Sequence, residues 1–270
     1  MKVRVISRLA AAALAAATAT AATASEPATS VRYPYVAALS RVSGADRVYF
    51  CAGTLIAPQW ILTAAHCFHA PGGARISTRN LYAAVGQDRL AAAGDEVQVG
   101  IQRVFVHPGY EPGSQHNDIA LVRLSDIAGP LIAETGGADP RAATVLGFGS
   151  FYEGRLAGNA LLRTGSPAAQ LSDRLRRGAV RLVDPALCAA LGDGADDTAM
   201  CASAGAADAC VGDSGGPLVA EAAEGPDRLV GVVSLGSGCA VAEPVVRYTR
   251  VEPYAAWIFE TIQQADDPLE

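Results

Sequence analysis

Short apolar runs, separated by turns rich in glycine, proline and aspartate, recur along most of this chain. Runs of this length predict β-strands. In the first half they fall at residues 35–39, 50–56, 61–65, 82–85, 97–101, 103–106 and 119–124. In the second half they fall at residues 144–148, 161–164, 179–183, 217–219, 229–234 and 245–248. This pattern favours an antiparallel barrel or sandwich over alternating strand–helix units.

The C-terminal part of the chain follows a different period. Apolar residues recur there near helical spacing, at Val251, Tyr254, Trp257, Ile258 and Ile262. Pro253 suits a first helical turn, so the pattern predicts one α-helix over residues 253–264. A stretch rich in glycine, proline and alanine at residues 128–143 is the predicted boundary between two groups of strands.

The N-terminal segment has the pattern of a secretory signal peptide. Its basic residues are Lys2, Arg4 and Arg8, residues 9–17 are apolar and uncharged, and Ala22-Thr23-Ala24 fits a signal-peptidase site. We predict a signal peptide over residues 1–24, a mature chain over residues 25–270 and a secreted protein, extracellular or periplasmic. The alternative is a membrane anchor, but the stretch is short and alanine-rich for a span of about 20 residues.

The charge balance argues against nucleic acid as a partner. The chain carries 21 basic and 27 acidic residues, a formal net charge of −6, and loss of the signal segment would remove further basic residues. Phosphate backbones attract basic surfaces, not acidic ones. No later segment is long and apolar enough to predict a membrane span, so no membrane partner is expected after signal cleavage.

An even number of cysteines in an exported chain favours disulfides over metal sites. The six are Cys51, Cys67, Cys188, Cys201, Cys210 and Cys239. No pair has the C-x-x-C spacing of zinc or redox sites. Spacing alone does not choose among the possible pairings.

Three short segments carry the residue types of a nucleophilic active site. They are Thr63-Ala64-Ala65-His66-Cys67, Asn117-Asp118-Ile119-Ala120-Leu121 and Gly212-Asp213-Ser214-Gly215-Gly216-Pro217. A serine hydroxyl needs a base to become nucleophilic at neutral pH, and imidazole titrates in the range that this task requires. A lone Asp-Ser-Gly is usually a turn and a lone histidine is usually structural, but the three segments in this order indicate serine catalysis.

With these segments the chain resembles the trypsin/chymotrypsin family of serine proteases, from about residue 31 to residue 262. The resemblance extends to Gln59-Trp60-Ile61-Leu62, Gly147-Phe148-Gly149, Val233-Ser234 and Tyr248-Thr249-Arg250-Val251. It implies an all-β fold of two packed antiparallel six-stranded β-barrels with a C-terminal α-helix. The first barrel is expected over about residues 31–130, the second over about 144–250 and the helix over about 253–264.

The resemblance also implies a role for each catalytic residue. Ser214 would attack the peptide carbonyl, His66 would take and return the proton, and Asp118 would hold the other ring nitrogen of the histidine. Ser234 resembles the family serine that hydrogen-bonds this aspartate. The backbone N–H groups of Gly212 and Ser214 would form the oxyanion hole.

The same resemblance implies the disulfides Cys51–Cys67, Cys188–Cys201 and Cys210–Cys239. It implies no cofactor and no metal. Asp95 and Glu96 lie in a loop where some relatives bind calcium, but Gln87 stands where a calcium-binding relative usually has a carboxylate.

Substrate specificity can be predicted in part from the pocket residues that the resemblance implies. Asp208 lies where the family carries a pocket-base aspartate that pairs with Arg or Lys, and Gly236 and Gly238 leave the mouth open. Two residues depart from the trypsin-like pattern: Val246 replaces a wall glycine and Leu235 replaces a tryptophan. We predict cleavage after Arg or Lys. The alternative is a shortened pocket for small or medium side chains.

The largest departure concerns activation. Family zymogens are cut before an Ile-Val-Gly-Gly-like sequence, and the freed amino group pairs with the aspartate that here is Asp213. No such sequence exists, and counting back from Tyr33 places residues 22–25 there. Signal peptidase could release the functional terminus, another cation such as an arginine could pair with Asp213, or a partner or substrate could order the enzyme. A buried aspartate needs some partner.

The expected partners are polypeptide substrates and protein protease inhibitors, and the expected state is a monomer. A catalytically silent, protease-like binding protein is the main alternative function. Silent relatives usually lose a triad residue or an oxyanion glycine, and this chain keeps them all. An esterase or lipase is disfavoured because its order of serine, aspartate and histidine is absent.

Overall fold

The computed structural model describes residues 26–43, 46–70, 72–90, 98–129, 134–135, 140–149, 174–184, 188, 197–203, 213–236 and 245–266. Its strands are β1 Glu26–Pro27, β2 Val36–Ser43, β3 Asp46–Ala57, β4 Trp60–Thr63, β5 Leu81–Val85, β6 Val99–Val106, β7 Ala120–Leu124, β8 Glu134–Thr135, β9 Ala142–Gly147, β10 Arg176–Leu182, β11 Ala199–Ser203, β12 Pro217–Ala220, β13 Arg228–Gly236 and β14 Val245–Arg250. Two 3-10 helices, Ala65–Phe68 and Glu252–Tyr254, and one α-helix, α1 Ala255–Asp266, complete the described elements.

The first six-stranded barrel closes in the order β2-β3-β4-β7-β6-β5, with every pair antiparallel. Its strands carry large side chains that are fully buried on one face or the other, among them Leu39, Leu55, Ile61, Leu62 and Leu121. Closure leaves no free strand edge, so every strand has two neighbours.

The second barrel closes through β9, β10, β11, β14, β13 and β12 and returns to β9. Two short strands lie outside this ring: β1 pairs antiparallel with β10, and β8 pairs parallel with β13. The core of this barrel is made of smaller side chains such as Val145, Val180 and Ala202, packed around Tyr248. The two closed antiparallel barrels and the C-terminal helix confirm the predicted fold class.

Several predicted elements differ in detail from the observed ones. The two predicted strands at residues 97–101 and 103–106 form one strand, β6, whose pairing with β7 shifts register between Ile101 and Arg103. The predicted strand at 61–65 ends at Thr63, and a 3-10 helix follows. The small residues of β11 gave no strand signal in the sequence. The predicted strand at 161–164 and the signal segment lie outside the described residues.

Candidate active site

His66 lies in the 3-10 helix Ala65–Phe68 that follows β4, and its neighbours anchor its backbone. Ala65, Cys67 and Phe68 are buried, and Cys67 forms a disulfide with Cys51 of β3. The His66 side chain itself is 21% exposed, so the ring faces solvent from a backbone that the barrel holds in place.

Asp118 is the carboxylate that receives this histidine, and its side chain is fully buried. Oδ2 accepts a hydrogen bond from His66 Nδ1 at 2.7 Å, and Oδ1 accepts one from the His66 backbone N–H at 2.8 Å. Ser234 of β13 donates its hydroxyl to Oδ2 at 2.5 Å. The Asp118 carboxylate is therefore bound from both barrels, and Ser234 makes the contact that the family resemblance implied.

The electrostatics of Asp118 result from two opposing effects. Burial favours the neutral acid and raises the pKa, but the hydrogen bonds from His66 and Ser234 and the charge of His66 outweigh it, so the pKa lies below the ordinary value. The ionised carboxylate can only accept hydrogen bonds, so His66 Nδ1 must donate. The neutral imidazole then carries its free lone pair on Nε2, where a base needs it.

A second set of hydrogen bonds holds the backbone around Asp118. Asn117 adopts a left-handed conformation with φ 52°, and its Nδ2 donates to the Gly109 carbonyl at 2.7 Å. Its Oδ1 accepts from the Tyr254 hydroxyl at 2.8 Å. Thr249 donates Oγ1 to the Asp118 carbonyl at 2.9 Å. We call Asn117, Tyr254 and Thr249 the aspartate clamp. The segments of Asn117 and Thr249 carry the family resemblance and Tyr254 belongs to the predicted helical pattern, but the sequence assigned none of the three a role in holding Asp118.

Ser214 lies in the turn that precedes β12, and the turn is tied to the first barrel. The Ser214 carbonyl accepts from the Ala52 N–H at 2.8 Å. Gly215 has φ 79°, and a Cβ built on it would lie 2.1 Å from Thr63 Oγ1 and 2.5 Å from the Ala52 carbonyl. Only glycine fits this contact between the barrels, which explains the glycine directly after the serine.

Asp213 is buried beside the serine, in a cage of backbone. The Gly149 N–H donates to Oδ1 at 2.7 Å. A Cβ on Gly147 would lie 1.9 Å from Oδ1 and one on Gly149 would lie 2.4 Å from Oδ2, so a side chain at either position would force the carboxylate or the backbone to move. Phe148 between them meets the Tyr49 ring edge-on, with centroids 6.0 Å apart. Burial, followed by the negative charge of Asp213, raises the pKa of Tyr49 well above its ordinary value.

Other predicted site residues fall at the second barrel or outside the described residues. Leu235 at the end of β13 is 44% exposed, and Val246 of β14 is buried in the second-barrel core. Gly236 is the last residue of β13. Cys188 and Cys201 form the second predicted disulfide. Asp208, Gly212, Gly238, Cys210 and Cys239, and the calcium-loop residues Asp95 and Glu96, lie outside the described part of the chain.

Within the described residues, Cys51, His66 and Cys67 are the one group of three or more metal-ligand residue types whose ligand atoms lie close enough together to share an ion. The two sulfurs are bonded to each other in the Cys51–Cys67 disulfide, so neither is the thiolate that a metal ion would need. Within the same residues, no helix has the length and apolar character needed to span a membrane.

The fold and this site define a class of proteins in which two antiparallel barrels enclose a histidine–aspartate pair beside a serine turn. The family model described as Trypsin matches residues 23–258. The chain belongs to the trypsin family.

Individual relatives agree with this family. The chain is 34% identical over 252 residues to coagulation factor XII of Sus scrofa. The aligned region covers 84% of this chain and 37% of the relative. The chain is also 34% identical over 224 residues to trypsin of Squalus acanthias, and here the aligned region covers 79% of this chain and 86% of the relative. Transmembrane protease serine 9 of Rattus norvegicus is 32% identical over 255 residues, covering 89% of this chain and 22% of the relative. The chain thus spans little more than a third of the coagulation factor XII sequence.

Proposed function

We propose that this protein is a serine endopeptidase that cleaves peptide bonds through an acyl-enzyme intermediate. The observation that carries the proposal is the buried, ionised Asp118, which His66 Nδ1 contacts at 2.7 Å and Ser234 at 2.5 Å. This arrangement leaves His66 Nε2 as a base at the junction of the barrels, where the Ser214 turn is anchored. Trypsin-family membership supports the same reaction.

In the acylation step, Ser214 Oγ attacks the peptide carbonyl while His66 accepts its proton. The imidazolium that forms is stabilised by Asp118, and it returns the proton to the leaving amine. Water then repeats the sequence on the acyl-enzyme and frees Ser214. The N–H groups of Gly212 and Ser214 would bind the developing oxyanion, and each such donor is typically worth about 3 kcal/mol in the transition state.

The proposed substrate is a polypeptide cleaved after Arg or Lys, with Asp208 as the residue that pairs with the basic side chain. Leu235 and Gly236 at the end of β13 would line the substrate beside it. Val246 favours the alternative, a narrowed pocket for small or medium side chains, because its isopropyl group stands where relatives carry glycine.

The proposal includes secretion after signal cleavage, action as a monomer and inhibition by protein protease inhibitors. The signal pattern over residues 1–24 supports secretion, and the disulfides Cys51–Cys67 and Cys188–Cys201 fit an oxidising compartment. Asp213 is proposed as the activation partner of a cation, either an amino group from residues 22–25 or an arginine. N-terminal sequencing of the active secreted protein distinguishes these. An Ile or Val terminus created by later cleavage, for example at Val31, contradicts both.

A fluorophosphonate probe tests the enzymatic function, because it modifies only an activated serine. We expect intact-protein mass spectrometry to find one adduct on Ser214, absent in Ser214→Ala and strongly slowed in His66→Ala. The matched control is Ser203→Ala, which alters another partly exposed serine and should label normally. Absence of labelling in the native wild-type protein would favour the silent binding protein.

A fluorogenic peptide library varied at the residue before the cleaved bond tests the specificity. We expect the fastest turnover with Arg or Lys, and loss of that preference in Asp208→Ser. Faster turnover of Ala or Val peptides than of Arg peptides would replace the trypsin-like specificity by the narrowed pocket.

A further inference from the structure

A groove of about 430 Å³ lies between β6 of the first barrel and helix α1. Its walls include Phe105 from β6 and, from α1, Trp257, Thr261 and Gln264. The helix residues recur at intervals of four and three, so they form one continuous stripe on the helix surface. None of His66, Asp118 and Ser214 lines this groove, so it is separate from the candidate active site.

Two arginines, Arg75 and Arg103, also line the groove, and both are exposed. The Arg103 guanidinium lies over the Phe105 ring, 4.6 Å from its centroid. No carboxylate among the described residues pairs with either arginine. By contrast, Arg123, which lies against Trp60 of the same barrel, pairs with Asp266 at the end of α1 at 3.1 Å.

The charge of the whole chain makes these two arginines distinctive. On a protein with a formal net charge of −6, two cations that line one groove form a local positive site that a negatively charged ligand can recognise. The half-buried aromatic walls, Phe105 and Trp257, offer apolar surface to the same ligand. The groove therefore matches a ligand that has both carboxylates and an apolar side chain.

We propose that this groove is an exosite for an acidic peptide segment, in which carboxylates pair with Arg75 and Arg103 while an apolar side chain packs on Trp257. The segment belongs to a protein substrate or a protein inhibitor of the proposed protease, and the exosite's effect on catalysis rests on that proposed function. A sulfated sugar would engage the arginines but leave the aromatic walls unused. A second copy of this chain would bring a net negative surface but no defined segment.

The position of Arg75 relates the exosite to the active site. Arg75 lies in the segment that follows His66, and its backbone forms an antiparallel bridge with His69. A protein bound at the active site could therefore extend along the His66 loop into the groove. A short peptide substrate ends before reaching it, so the groove should affect cleavage of proteins and leave cleavage of short peptides unchanged.

Tryptophan fluorescence of the Ser214→Ala protein provides a direct binding test that does not require catalysis. The chain has two tryptophans: Trp60 is 2% exposed, whereas Trp257 lines the groove. The probe is the peptide acetyl-Glu-Glu-Phe-Glu-Glu-amide, and its control carries Gln in place of each Glu. We expect a saturable fluorescence change with the acidic peptide that weakens at high salt.

Charge reversal identifies the site. The double variant Arg75→Glu/Arg103→Glu should bind the acidic peptide about tenfold more weakly or worse, because both ion pairs become repulsive. Arg79→Glu, an exposed arginine outside the groove, should bind like the parent protein. In Trp257→Phe the fluorescence signal should disappear.

In the Ser214-containing protein, the double variant should keep its kcat/KM for a short peptide and lose efficiency on a protein substrate that carries an acidic segment. If neither substrate is cleaved, the proposed function fails while the fluorescence test of the groove still stands. Three results overturn the exosite: no saturable binding of the acidic peptide, equal binding by the double variant and Arg79→Glu, or binding of a sulfated oligosaccharide alone. Dimers in sedimentation that the double variant dissociates would assign the groove to a second copy instead.

Discussion

The Arg32 guanidinium binds the Asp227 carboxylate through two hydrogen bonds, of 2.5 and 2.7 Å, between residues 195 positions apart. The same carboxylate accepts the Tyr35 hydroxyl at 2.7 Å and the Ala222 N–H at 3.0 Å. The Asp227 side chain is fully buried while Arg32 is 44% exposed. This contact ties the segment that follows β1 to the turn between β12 and β13.

Removing the arginine should destabilise the fold. In Arg32→Ala the Asp227 carboxylate stays buried but loses two of its hydrogen bonds and its counter-charge, so we expect a loss of about 1–2 kcal/mol in the free energy of unfolding. That range is smaller than for a fully buried pair, because solvent screens the exposed arginine. Urea denaturation measures it. Arg79→Ala, an exposed arginine elsewhere, should leave the free energy within about 0.5 kcal/mol.

The pair also predicts an acid-sensitive stability. Burial raises the pKa of Asp227, but the hydrogen bonds from Arg32, Tyr35 and Ala222 outweigh it and hold the pKa below the ordinary value. A carboxylate with a lowered folded-state pKa stabilises the protein at neutral pH, and this contribution is lost as pH falls below about 4. Wild-type stability should therefore decline more steeply on acidification than that of Arg32→Ala. Parallel curves for the two proteins would show that Asp227 does not contribute in this way.

A methyl group on Gly147 should disturb the cage of Asp213. The added Cβ would lie 1.9 Å from Asp213 Oδ1, so the carboxylate or strand β9 must move. We expect Gly147→Ala to lose about 1–3 kcal/mol of stability and to react with fluorophosphonate at least about tenfold more slowly. Gly113→Ala is the matched control, because a Cβ there meets nothing within 4 Å. Equal labelling rates for Gly147→Ala and Gly113→Ala would show that the backbone around Asp213 does not affect the reactivity of Ser214.

The aspartate clamp should affect catalysis through the position of Asp118. Tyr254→Phe removes only the hydroxyl that donates to Asn117 Oδ1 at 2.8 Å. One lost hydrogen bond of about 1 kcal/mol predicts a fall of about fivefold in kcat with KM nearly unchanged. The kcat of Asn117→Gly should fall further than that of Tyr254→Phe, because glycine keeps the left-handed backbone but loses both side-chain hydrogen bonds. A change confined to KM would place the effect in substrate binding instead.

The charge on Asp118 can be tested without changing its shape. In Asp118→Asn the amide would present an N–H group to His66 and favour the wrong ring tautomer, so kcat should fall about 10⁴-fold, the size that this substitution has in the family. Asp126→Asn, at an exposed aspartate just after β7, is the control and should keep full activity. Steady-state hydrolysis of a peptide substrate measures both. Activity within tenfold of wild type in Asp118→Asn would remove the carboxylate from the mechanism.

Much of the candidate site could be predicted from the sequence because its parts are local. His66, Asp118 and Ser214 each sit in a short segment whose flanking residues have recognisable requirements, and Gly215 is one of these. Short apolar runs likewise gave most strands, because a strand buries alternating or continuous apolar residues whatever its partner. Strand β11 was not predicted, because its mostly small residues form no run of large apolar side chains. They are buried by the neighbouring strands β10 and β14, which are far away in the sequence.

The sequence by itself therefore determined the residue types of the chemistry, and its resemblance to the trypsin/chymotrypsin family implied the two-barrel fold class and the disulfides Cys51–Cys67 and Cys188–Cys201. Only the tertiary structure decided which contacts hold these parts in place. They are the aspartate clamp, in which Tyr254 and Thr249 bind the Asn117–Asp118 segment, and the pairing of Arg32 with Asp227. These contacts join residues 131 to 195 positions apart. A hydrogen bond over that distance leaves no period or motif in the chain, because the energy depends on the two groups meeting in space and not on their spacing in sequence.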